Sequence, residues 1–218
     1  MNKHKLITIH VHSLAQLAPL DKTNFADIRS YNHYKKEQIY VQRNQYLSHQ
    51  LNTEIQNEDV ISTEFGKPYL KNYPELKFNH SHSQKNYALA FSHSIQDVGV
   101  DVEDLDRKVR FEALAKHAFH PNELAIWNSL EQEKEYWFKV WTTKEAVLKA
   151  AGLGIRINLN EFDTQVHAEQ NGGMCYHPEI GTFAYQNYQL AHVVLTVAWR
   201  SEQSCKGFNL PQIHIHQH

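Results

Sequence analysis

The sequence predicts an α+β fold, and three observations carry that prediction. Residues 137–151 repeat apolar side chains at helical spacing, with Trp137, Val140, Trp141, Val147, Leu148 and Ala151 on the repeat. Gly152 and Gly154 follow directly, as a helix stop should. Residues 98–103, Val98-Gly99-Val100-Asp101-Val102-Glu103, alternate strictly and read as a β-strand. Further strand-like runs at 6–11, 87–92 and 189–199 are interleaved with helical stretches.

In chain order, 6–11 reads as a first strand. Residues 25–34 and 35–51 read as mostly helical, with Ile39, Tyr40, Arg43, Tyr46, Leu47 and Leu51 spaced for one face. Arg29, Lys35, Lys36 and Arg43 make this the most basic part of the N-terminal half. At 65–70, Gly66 frees the backbone, Pro68 fixes it, and Lys67 between them is held in a defined direction. Residues 79–83 read as a polar loop with His80 and His82. The strand at 87–92, the turn at 93–97 and the strand at 98–103 then form a hairpin, with the histidine loop at one end and the carboxylates on its second strand. The basic run Arg107-Lys108-Val109-Arg110 precedes Phe111 and a helix over 111–119. His120-Pro121-Asn122-Glu123 opens another helix, with proline near its first position, running to 130. The long helix follows over 131–151, and 162–168, 183–185 and 189–199 read as strands.

With 218 residues the chain can hold one large domain or two small ones. Its 41% apolar and 21% charged content is that of a soluble globular protein. A formal net charge of −2 gives no case for nucleic acid or an anionic membrane as partner. Cys175 and Cys205 are the two cysteines, too few for a disulfide framework, which points to a reducing cytoplasm. The apolar run at 6–11 is too short and interrupted for a signal peptide or a membrane span. The 16 histidines are scattered, and the tail at 213–218 reads as a polar end with at most weak affinity for nickel or zinc. No Gly-rich phosphate loop, dinucleotide fingerprint or internal repeat is visible in the sequence.

Trp141, Glu145 and Lys149 fall at i, i+4 and i+8 and so lie along one side of the long helix. Alone, Glu145 and Lys149 form an ordinary surface pair worth ~0.2–0.5 kcal/mol. Asp101 and Glu103 share one strand face with backbones ~6.5–7 Å apart, within reach of one shared cation. Their hard oxygens suit Mg²⁺ that keeps waters and binds substrate phosphates. Without a cation, that face would be the solvated side of an edge strand.

Four segments resemble one family. WTTKEAVLKAAG at 141–152 is similar to the W-x-x-K-E-A-x-x-K-x-x-G signature of 4′-phosphopantetheinyl transferases. GVDVE at 99–103 resembles their G-[IV]-D-[IV]-E signature. Phe65-Gly66-Lys67-Pro68-Tyr69 looks like their G-K-P segment, and Phe78-Asn79-His80-Ser81-His82-Ser83 like their F-N-x-S-H-S segment. The order is the family's, and the ends of the chain carry less of the signal. The length resembles the larger, surfactin-synthetase-activating type, a monomer.

The resemblance implies two similar α+β halves in a pseudo-twofold arrangement, residues 1–104 and 105–218, with the active site at their interface. It implies transfer of the 4′-phosphopantetheine arm of coenzyme A to a serine of an apo acyl or peptidyl carrier protein. Mg²⁺, or Mn²⁺, would be held by Asp101, Glu103 and Glu145. Glu145 would act as base directly or through a metal-bound water, Lys149 would meet the leaving phosphate, and Asp101 completes the catalytic set. Coenzyme A would meet Lys67, Pro68, Ser81, His82, Lys144 and Lys149, with Arg29 and Arg43 as candidates from the basic helix. An acidic carrier would dock on the basic run at 107–110. Two other readings fit the residues: a non-catalytic divalent-metal protein using the histidines, and a Mg-dependent phosphoanhydride hydrolase. Metal preference separates the first, and carrier-dependent consumption of coenzyme A separates the second.

Overall fold

In the computed structural model, residues 5–154, 156–201 and 210–218 are described. The chain runs β1 (Leu6–Ser13), α1 (Leu14–Leu17), α2 (Ile28–Leu51), β2 (Val60–Ser62), β3 (Pro68–Leu70), β4 (Lys77–His82), β5 (Asn86–Ser92) and β6 (Val98–Asp104). It continues α3 (Phe111–Ala118), α4 (Pro121–Ser129), α5 (Lys134–Ala151), β7 (Gly172–His177), β8 (Gly181–Leu190), β9 (Val193–Arg200) and β10 (Gln212–Gln217). The fold is α+β, as the sequence predicts.

Strand alternation sorts these elements into layers. One sheet has the order β10-β1-β5-β4 and the other β6-β9-β8-β7, with β2 and β3 as a separate ribbon. Ile7, Ile9 and Val11 of β1 and Ala88 and Ala90 of β5 share a core with Val98, Val100 and Val102 of β6 and Val193, Leu195 and Val197 of β9. That core lies between the sheets. The residues in between point outward: Leu89 and Phe91 join Ile39 and Leu47 of α2, whereas Val194 and Ala198 join Val140, Val147 and Ala150 of α5. The result is helix, sheet, sheet, helix. Burying each such aliphatic side chain contributes roughly 1.5–3 kcal/mol, so strand period and helix period together dictate the stacking.

The same connectivity occurs twice. Strand, helix, strand, strand gives the order β1-β5-β4 in one sheet and β6-β9-β8 in the other, each strand antiparallel to its neighbour. A cut at 104/105 separates β6 from β9, its hydrogen-bonded partner, and β10 from β1, with which it pairs in parallel.

Three readings of the sequence are corrected. Residues 79–83 are not a loop: Lys77–His82 is a strand, polar because Asn79 and Ser81 bond to β6. The expected hairpin does not form, since β5 pairs with β1 and β4, and β6 with β9. Residues 162–168 make no ladder. Side chains satisfy that backbone instead, with Tyr136 donating to the Val166 carbonyl and Lys139 to that of His167. The tail at 213–218, read as a polar end, is largely exposed and forms the strand β10 over 212–217.

Helix α5 is closed by Gly152, whose φ of 74° is the left-handed conformation that an L side chain resists. It lies directly on β6. A methyl group on Gly99 would fall inside the radius of the Ala146 carbonyl oxygen and 2.9 Å from the Ala150 Cα. Only glycine permits this approach, and the approach brings the polar side of α5 against Asp101 and Glu103.

Candidate active site

Asp101 lies where three elements meet. Its Oδ1 accepts from Lys149 Nζ of α5 at 2.6 Å and from Ser81 Oγ of β4 at 2.8 Å. Lys149 Nζ also donates to Ser81 Oγ at 2.9 Å, which closes a triangle. The other Asp101 oxygen, Oδ2, is buried and has no hydrogen-bond partner among the described residues. Glu103 is held by Arg107, four residues on. Glu145 makes no side-chain hydrogen bond among the described residues. Burial, and after it the charge of Asp101, raises the carboxyls of both Glu103 and Glu145 above the usual range; Lys149 partly opposes this at Glu145, as Arg107 does at Glu103. The three carboxylates therefore feel one another across the β6–α5 junction.

Their oxygens are the hard donors that Mg²⁺ takes, and the buried Oδ2 of Asp101 lacks a counterpart among the described residues. The residues fit that ion in kind. They do not already surround a common point: among the described residues no group of three His, Cys, Asp or Glu side chains is arranged to hold a metal. Arg107 and Lys149 neutralise Glu103 and Asp101 instead.

Beside the junction is a cleft of about 220 Å³, lined among others by Pro68, Asn79, His80, Glu145 and Lys149. Arg43 lies buried behind it, donating to the Asn44 and Asn57 amides and packed on the Tyr40 ring. No carboxylate pairs with Arg43 among the described residues, so positive charge predominates there. Burial, then the charges of Arg43, Lys149 and His82, push His80 down to about 3.

Residues 97–198 match the model of the 4′-phosphopantetheinyl transferase superfamily. Over those residues, just under half of its length, the chain is similar to that superfamily. It is 44% identical over 95 residues to the 4′-phosphopantetheinyl transferase HetI of Nostoc sp. (strain PCC 7120), covering 41% of this chain and 40% of that protein. It is 35% identical over 124 residues to the transferase gsp of Aneurinibacillus migulanus, covering 54% and 48%. It is 30% identical over 119 residues to AcpT of Escherichia coli (strain K12), covering 54% and 60%. The chain thus spans about half the length of the curated relatives it matches.

The superfamily's matched region holds Asp101, Glu103, Glu145 and Lys149, which the fold brings together, with Ser81 joining from outside it. Lys144, also inside it and expected on coenzyme A, is corrected. It is 1% exposed, paired with Glu123 at 2.9 Å and bonded to the carbonyls of Leu159 and Phe162, so no phosphate can reach it. Arg29 lies 14 residues before Arg43, about 21 Å along the helix, in a groove with Phe25 and Tyr34 and away from the cleft. Lys67 borders the cleft, but its ammonium is bound to the Ala150 carbonyl at 2.6 Å and to Asp97 at 3.2 Å. His82 is exposed at the end of β4.

Sequence reasoning missed two residues. His80 carries no signal until 77–82 is recognised as a strand, and Arg156, over the Phe65 ring at the cleft margin, follows the helix stop. The cysteine Cys205 and residues 1–4 lie outside the described residues, whereas Cys175 is buried and unpaired, its thiol pushed up to about 12 by burial. Among the described residues no helix is long and apolar enough to cross a membrane.

Proposed function

We propose that this protein transfers the 4′-phosphopantetheine arm of coenzyme A to a serine hydroxyl of an apo acyl or peptidyl carrier protein, releasing adenosine 3′,5′-bisphosphate. The observation that carries the reading is the Lys149–Asp101–Ser81 triangle set against Glu145. Attack at a pyrophosphate phosphorus demands positioning and charge neutralisation more than covalent chemistry. Lys149, on the cleft side of the triangle, meets the phosphate that leaves. Glu145, made more basic by burial beside Asp101, takes the serine proton. Asp101, Glu103 and Glu145 would hold Mg²⁺, which supplies charge neutralisation for the pyrophosphate when bound. Pro68 and the Lys67 stem shape the cleft, while Ser81 and His82 serve the phosphates of coenzyme A and the buried Arg43 adds positive charge beside His80.

We place the protein among the larger, surfactin-synthetase-activating members, as a cytoplasmic monomer of two related halves. The repeated strand order supports two halves meeting at residues 93–97, with β10 added to the first. The carrier docks on the basic strip of Lys108 and Arg110, both exposed, beside the half-buried Arg107 and next to Leu114, 36% exposed on α3. Arg107→Glu with Arg110→Glu should raise the carrier KM several-fold and leave that of coenzyme A nearly fixed.

The deciding experiment is mass spectrometry of apo-carriers incubated with the protein, coenzyme A and Mg²⁺. The expected result is a gain of one phosphopantetheine, lost in Asp101→Ala. Consumption of coenzyme A without any carrier would support the hydrolase instead.

A further inference from the structure

The two strand carboxylates of the junction are neutralised in different ways. Lys149 is tied into the fold by Asp101, Ser81 and the Val100 carbonyl. Arg107 belongs to the turn after β6, where its N–H donates to the Asp104 carbonyl at 3.0 Å. Its guanidinium has one side-chain partner among the described residues, the carboxylate of Glu103. A guanidinium has five donors, so most of them have no hydrogen-bond partner among the described residues. The Arg107 side chain is 34% exposed against 11% for Glu103, so the pair reaches from the buried junction to the surface. There it borders Lys108 and Arg110, both exposed.

One group thus stands between two anionic demands. While Arg107 holds Glu103, a cation at the junction loses an oxygen donor and meets a like charge within a few ångströms. An acidic partner on the strip offers Arg107 a second carboxylate, and a fork of donors exchanges one for another at little cost.

We propose that Arg107 is a gate on the cation site: it occupies Glu103 until an acidic carrier takes the arginine, and only then does Glu103 join Asp101 and Glu145. Arg107 is a positioning residue, acting through Glu103. The proposal rests on the transferase reading above and adds an order of assembly, in which the carrier completes the metal site.

Mn²⁺ binding to the full chain, followed by the loss of the free-ion signal in electron paramagnetic resonance, tests this without turnover. Arg107→Gln should bind Mn²⁺ about fivefold more tightly than the wild type, the equilibrium equivalent of losing one partly exposed ion pair. Arg107→Lys, which keeps the charge, should stay near the wild type. An apo-carrier with its serine replaced by alanine should tighten Mn²⁺ binding by the wild type and leave Arg107→Gln unchanged. Equal affinities of wild type and Arg107→Gln, or equal tightening of both by the carrier, overturn the gate while leaving the site intact. Mn²⁺ binding that Asp101→Asn does not weaken in any form overturns the cation site itself, and the gate with it. Should Arg107→Gln not fold, the carrier arm on wild type decides, and no tightening there overturns the gate.

Discussion

Helix α5 carries two lysine–carboxylate pairs five residues apart, and they are built for opposite purposes. Lys144 and Glu123 are both 1% exposed. Every polar atom of that pair has a partner: Glu123 also accepts from the N–H groups of His120 and Thr164, and Lys144 donates to two carbonyls. Lys149 and Asp101 are 29% and 6% exposed, Lys149 lines a cleft, and one Asp101 oxygen has no partner among the described residues. Five residues turn a helix by about 140°, so one lysine faces the core and the other the β6 junction. A saturated pair is structural. A pair with an unmet acceptor beside open space has room for a ligand.

Substitutions can break that contrast. Lys144→Ala strands a buried carboxylate and should cost about 3–5 kcal/mol in denaturant unfolding. Lys144→Met with Glu123→Leu should recover most of it, because apolar replacement of a whole buried pair is often neutral. A near-neutral Lys144→Ala would erase the distinction. The cleft pair should respond in the other currency. Glu145→Gln and Lys149→Ala should each lower turnover by about 10²-fold; the midpoint of unfolding should stay close to the wild type in Glu145→Gln and fall in Lys149→Ala, which leaves Asp101 without its ammonium partner.

Gly99→Ala strikes the contact between α5 and β6. Its methyl group cannot fit under Ala146, so about 1–3 kcal/mol should be lost through overpacking, and turnover with it as Lys149 draws away from Asp101. Thermal melting and transfer rates measured on the same sample would check this. Unchanged transfer would mean that the junction tolerates displacement.

The smallest expected effect lies far from both lysines. His10 Nδ1 lies 3.0 Å from His218 Nε2, and His12 Nε2 lies 2.9 Å from the Tyr46 hydroxyl, which joins β10, β1 and α2. Burial first, then neighbouring histidines, lower both His10 and His12 to about 4 from an ordinary 6.5. Between those values the unfolded chain binds protons that the folded chain refuses, so stability falls as pH drops from about 6.5 towards about 4 and is flat above. His80 acts in the same sense. His10→Asn with His12→Asn should shrink the difference in Tm between pH 7 and pH 5 by a few degrees. An undiminished difference would assign it to other groups.

How much of this was legible follows from the range of each interaction. Glu145 and Lys149 were visible because helical spacing is local, and Asp101 and Glu103 because strand alternation is. β6 was read correctly as a strand but given the wrong partner, since the five residues 93–97 look like a hairpin connection while β9 lies about 90 residues away. β4 was hidden because Asn79, Ser81 and Ser83 bond to β6 or its end, so the usual apolar signal is missing. The fate of Lys144 depended on Glu123, 21 residues earlier on another helix, a distance at which spacing carries no information.

The parallel pairing of β10 with β1 makes the order of synthesis matter. β1 leaves the ribosome about 200 residues before 212–217, and its outer edge waits for them. At 5–20 residues per second that is roughly 10–40 s with a bare strand edge. A nascent chain is therefore most prone to wrong strand pairing after β5 has formed and before β10 arrives. Slow codons between 93 and 211 would lengthen that interval directly.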